Sequence, residues 1–152
     1  MAISMSFGLE ASILGDYGLS AMMNYGVIEV YSGSQPPGAE SSPTGTLLAR
    51  ITQNGDPFEV RQNTGGLQLQ LLAEGGLGFV QGWRLKGVAA GEAGWWRWKW
   101  NEPDDNSESL YYPRMDGLVG ESLILRTNNI TPQSDILISD FTVKFTTCAQ
   151  PD

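Results

Sequence analysis

Four of the chain's five tryptophans fall within six residues, in the run Gly94-Trp95-Trp96-Arg97-Trp98-Lys99-Trp100, and the acidic stretch "NEPDDNSES" (101 to 109) follows at once. Exposed indole rings stack on sugars, and carboxylates beside them bond hydroxyls or hold calcium. A carbohydrate platform is therefore the first chemistry to weigh. Strand alternation splits the run into Trp96, Trp98 and Trp100 on one face and Trp95, Arg97 and Lys99 on the other. Three rings on one side are most economically the core wall of a sheet, each burying ~150–250 Å². That leaves Trp95, Arg97 and Lys99 as the outward face, with cation stems lying along the ring. A flat sugar platform would then have only Trp95, with Trp83 beside it.

Other constellations carry less. "DDNSES" sets oxygen ligands at Asp104, Asn106 and Glu108 but lacks the glycine and the distant bidentate glutamate of a calcium loop. A charged, solvated hairpin loop is the expectation, and no metal site or cofactor is assigned. The run "GLGFVQG" from Gly76 has its third glycine at 82 and no helix after it, so it reads as a turn entering a strand. Asn129-Ile130-Thr131 matches the glycosylation pattern, with Pro132 directly after it. The chain contains no histidine, which removes the usual general base and the commonest metal ligand. Paired carboxylates remain open to it, but nothing in the sequence singles out a pair. No catalytic residue is assigned, and the expectation is a protein that is not an enzyme.

Seventeen acidic against nine basic residues give a net charge of −8, which repels a phosphate backbone. Nucleic acid is not an expected partner. No apolar run approaches the ~20 residues of a membrane span, so no membrane partner is expected either. Glu10, Asp16 and two glycines interrupt the N-terminal stretch, which is unlike a targeting segment. The lone Cys148 has no partner within the chain and suits a reducing compartment.

The elements that must position these residues are short strands. Nineteen glycines and eight prolines recur as punctuation rather than gathering in one linker. Between them lie segments of period two at 26 to 33, 46 to 53, 66 to 72, 82 to 90, 94 to 101, 121 to 128 and 135 to 147. Seven or eight strands at near-regular spacing predict an all-β antiparallel sandwich or jelly roll. One short N-terminal helix is expected around 16 to 24, capped by Asp16 and stopped by Gly26. In the last segment the alternation shifts phase between Ile138 and Phe141, which calls for a bulge or break near Ser139 and Asp140. The loops 32 to 45 and 101 to 109 are polar and expected to be exposed. The expected division is an N-terminal arm, 1–15, ahead of a single β-sandwich domain, 16–152.

Three stretches carry a family likeness: "AMMNYGVIEVYSGSQPPGAESSPTGTLLARIT", "WRLKGVAAGEAGWWRWKW" and "PRMDGLVGESLILRTNNITPQSDILISDFTVKF". They resemble a family of small tailed-bacteriophage virion structural proteins. The matching motifs are a helix followed by "IYSGxQP" and "GTLLAxI", a "W-x-x-x-G-x-A-x-G-x-A-x-W-F-R" hairpin, and "PRxDGSVG". Trp83, Gly87, Gly94, Trp95, Arg97, Arg114, Asp116, Gly117 and Gly120 stand in the matching places. Trp100, the acidic insertion and Leu118 depart from the pattern. The resemblance implies a non-enzymatic virion protein made in the host cytoplasm. A capsid decoration or cement protein is favoured, binding the major capsid protein and neighbouring virion subunits. Tail, neck and connector positions are the alternative, then a carbohydrate-binding module. A homodimer or homotrimer is compatible with the role. Interface candidates are Ile3, Met5, Phe7 and Leu9 of the apolar arm, and Trp95, Arg97 and Lys99, which would meet an acidic neighbour. Arg114 and Asp116 are expected to pair with each other or to fix an "RMDG" turn.

Overall fold

The structure is a computed structural model, and it describes residues 3–9, 26–53, 61–62, 68–70, 83–138 and 140–144. Among these residues twelve strands run in chain order: β1 (Ser4–Met5), β2 (Gly26–Ser32), β3 (Leu47–Gln53), β4 (Arg61–Gln62), β5 (Gln68–Gln70), β6 (Trp83–Gly87), β7 (Gly91–Trp100), β8 (Arg114–Leu118), β9 (Leu123–Ile124), β10 (Asn129–Ile130), β11 (Asp135–Leu137) and β12 (Asp140–Lys144). They form an eight-stranded sheet ordered β1-β8-β7-β2-β3-β6-β11, with β10 on β7, and a four-stranded sheet ordered β4-β5-β12-β9. Every pairing between these strands is antiparallel. The molecule is all-β, as its punctuated period-two segments predict. The expected helix at 16 to 24 lies outside the described residues.

Register explains the core. Leu85, Ile51, Ile28, Trp98, Met115 and Met5 are successive cross-strand partners over β6, β3, β2, β7, β8 and β1. All but Met5 are fully buried, and Met5 packs against the same cluster. Each strand thus places one apolar side chain in a continuous row, the unit from which sheet stability is built. The neighbouring row is Ala49, Val30, Trp96 and Gly117. Gly117 has no side chain because the Trp96 ring occupies its place, and a Cβ there would lie 2.4 Å from the indole.

By strict alternation Ala93 would share a face with Trp95. Instead the register shifts between Tyr31 and Ser32, leaving Gly94 as an extra residue in β7. Ala93 thereby joins the core with Trp96 and Trp98. Only glycine fits at the bulge, since a Cβ on Gly94 would sit 2.1 Å from the Gly33 carbonyl oxygen.

The second sheet reaches the first through Phe141 of β12. Its ring meets Trp96 edge-on at 5.1 Å and Trp83 at 5.6 Å. Leu123 of β9, paired with Phe141, is buried in the same core. The expected phase change is a strand break: β11 ends at Leu137 in the first sheet and β12 begins at Asp140 in the second. Ile138 lies between them, buried, its N–H donated to the Trp83 carbonyl.

Candidate functional site

On the opposite face of the eight-stranded sheet the same registers align charge. Asp135, Lys86, Arg50, Glu29, Arg97, Asp116 and Ser4 are successive partners across β11, β6, β3, β2, β7, β8 and β1. The opposite-charge pairs of this row, Asp135–Lys86, Arg50–Glu29, Glu29–Arg97 and Arg97–Asp116, stabilise the sheet, while Lys86 faces the like-charged Arg50. At the β11 end the ladder is open to solvent, with Arg84 and Lys86 both bonded to the exposed Asp135. Those hydrogen bonds, Lys86 foremost, hold the Asp135 carboxyl below its ordinary value. Toward β8 the ladder is buried.

In the buried part, Arg97 grips Asp116 with two parallel bonds of 2.7 and 2.8 Å, and both side chains are fully buried. Burial pushes the Asp116 carboxyl above its ordinary value, against the pull of the Arg97 hydrogen bonds and charge. One row away, Arg114 bonds Asp104 at 2.8 and 2.5 Å and also donates to the Ser107 carbonyl at 2.8 Å. Lys99 donates to the Asp104 carbonyl at 2.6 Å and stands 3.5 Å from Glu29. Glu29 accepts from the Tyr31 hydroxyl at 2.7 Å and from Asn106 Nδ2 at 2.6 Å. Burial and the adjacent Glu29 raise the Tyr31 phenol far above its usual range, so it stays a hydrogen donor. Among the described residues the buried charges are Glu29, Asp104 and Asp116 against Arg97, Lys99 and Arg114. Their charges cancel, and the net −8 of the chain is carried by the rest.

Two loops and the N-terminal segment close over this face. Trp95 stacks on Tyr31 at 4.6 Å, lies 5.6 Å from the Arg97 guanidinium, and donates to the Thr44 carbonyl in the loop between β2 and β3. Arg114 also reaches the carbonyls of Ala39 and Glu40 in that loop. The loop between β7 and β8 supplies Asp104, Asn106 and Ser107. Asp104 turns inward because its own carboxylate accepts the Asn106 N–H, with Asn106 in the left-handed region at φ 67° that asparagine tolerates. From the N-terminus, the Ser6 hydroxyl accepts the Arg114 N–H and donates to the Tyr112 carbonyl.

Several expectations are corrected here. Trp95 and Arg97 are fully buried and Lys99 is 5% exposed, so the odd face of β7 is covered by the chain's own loops and cannot meet a neighbour. Trp95 and Trp83 are both buried, which leaves neither ring open to a sugar. In the arm, β1 pairs with β8, Ile3 and Met5 pack on the core, and Leu9 is fully buried; of the four candidates Phe7 alone stands out, at 63% exposed. Arg114 and Asp116 point to different partners, Asp104 and Arg97, and "RMDG" is strand β8 rather than a turn. The acidic stretch is not uniformly solvated, since Asp104 is 3% exposed and its carboxylate is taken by Arg114. Trp96 and Trp98 form core wall as the alternation predicts, with Trp100 packed at its margin. Glu29 and Tyr31 are the members of the network that spacing did not single out. Their signal lay in an acid and a phenol alternating within an otherwise apolar strand, "VIEVY".

The chain matches no family model, and comparison with curated proteins and with solved structures returns no match.

Proposed function

We propose that the chain is a structural protein of a tailed-phage particle, a capsid decoration subunit that binds the major capsid protein lattice and braces its junctions. The observation that carries this reading is the mutually neutralising set of six buried charges among the described residues. Arg114 bonds carbonyls of both covering loops and the Asp104 carboxylate, and Lys99 bonds the Asp104 carbonyl, so groups that elsewhere do chemistry here hold loops to a sheet. A module fastened in this way transmits load rather than turning over substrate. The laying of Phe141 against Trp83 and Trp96 supports a β-sandwich for such a module. The resemblance of the "YSGSQP" and "PRMDG" segments to small virion proteins points the same way. Many modest contacts on a fixed lattice sum to firm attachment, so each interface need not be large.

The test is protein composition of purified, washed particles. The chain is expected in a copy number that scales with the capsid subunits, and particles lacking it should lose DNA at lower temperature. Copies matching a tail or connector ring would move it to that part of the particle, and absence from washed particles would overturn the reading.

A further inference from the structure

The surface beside β1 combines three exposed apolar side chains with acid. Phe7 is 63% exposed, Leu110 58% and Tyr111 86%. They belong to one patch, because Gly8 packs so tightly on the 110–111 backbone that a Cβ there would lie 2.5 Å from the Tyr111 carbonyl oxygen. The patch is also held in shape. Phe7 N–H bonds the Glu40 carboxylate at 2.7 Å, Ser109 N–H bonds the Glu40 carbonyl, and the Ser109 hydroxyl accepts the Tyr111 N–H. Aromatic side chains on a fixed backbone lose little entropy on docking, which is how interface anchors behave. Within the 101–113 segment Glu102, Asp105 and Glu108 are exposed, and the segment has no lysine or arginine.

We propose that this patch is the docking surface for a protein partner that presents an apolar pocket ringed by lysine and arginine. Resting on the virion reading above, that partner is the capsid subunit. Charge decides the occupant. A second copy of the chain would bring the same acids to a two-fold contact. Among the described residues the cations at the opposite sheet edge, Arg84 and Lys86, are already bonded to Asp135, and the exposed Arg126 is a single cation, too few to ring a pocket. The polarity is the reverse of the one expected from Arg97 and Lys99: the acid is on this chain and the cations are on its neighbour.

The experiment adds the purified chain to particles assembled without it and measures binding across a salt series. Wild type is expected to bind, more weakly as salt rises. Phe7→Ser and Tyr111→Ser should each weaken binding about tenfold or more. The triple variant Glu102→Gln, Asp105→Asn, Glu108→Gln should bind more slowly and with less salt dependence. All these side chains are exposed, so thermal unfolding of each variant serves as the check that the fold is intact. Wild-type binding that the variants retain in full would overturn the patch and leave the virion reading standing. Failure of wild type to bind particles would overturn the virion reading and this partner with it. Concentration-dependent self-association lost in Tyr111→Ser would assign the patch to a second copy instead.

Discussion

Arg97 and Asp116 show what a buried ion pair does in this protein. Desolvation opposes the pair, and burial raises the Asp116 carboxyl despite two short bonds from Arg97. The pair therefore contributes position more than stability, which sets up unequal outcomes for its variants. Arg97→Met, which strands a buried carboxylate, should cost about 3–5 kcal/mol in denaturant unfolding. Arg97→Met combined with Asp116→Leu should recover most of that loss. Gly94→Ala tests another single-atom constraint, since its Cβ would collide with the Gly33 backbone. Loss of stability by a few kcal/mol, about that of overpacking a core, is expected from its melting curve. The sequence made the split of β7 into two faces legible, because alternation needs only local geometry. It did not reveal that both faces are buried. That depends on loops far along the chain, and polar residues such as Asp104 go inward wherever a buried partner awaits them.

At the scale of elements, Phe141 is the described side chain that lays the second sheet on the tryptophans of the first. Phe141→Ala should cost about 3–5 kcal/mol and, with Trp83 and Trp96 no longer faced, should raise amide exchange in β12 and β9 before it does so in β2 and β7. The β11 edge has a different sensitivity, governed by Asp135. Its folded-state carboxyl is lowered by Lys86 and Arg84, so its contribution is complete above the unfolded value and fades as pH falls through the folded one. The group is exposed, so the effect is small. An NMR titration should place its midpoint below that of a free aspartate, and Lys86→Met should return it toward the ordinary value. Long strands such as β2, β3 and β7 could be found from period and punctuation. β8 could not, because "MDG" has turn chemistry; its glycine is there to admit the Trp96 ring. The short strands β1, β4 and β10 are too brief for any periodicity to register.

For the whole molecule, cancellation of the described buried charges leaves the −8 to the rest of the chain, with acid and exposed rings beside β1 and bonded cations at the other sheet edge. Composition had foretold an acidic, all-β molecule without indicating where the surface would be adhesive. The central strand β2 pairs with β7, and Ser6 meets Arg114 across 108 positions of sequence. Such distant pairings make for slow assembly. During synthesis Glu29 emerges long before Asn106 and Lys99 exist to receive it, so that strand must wait, solvated and unpaired on that side, until most of the chain has left the ribosome. The ionic face that makes the finished module stiff thus also sets the order of its making, and closure of the loops over it belongs to the final steps of folding.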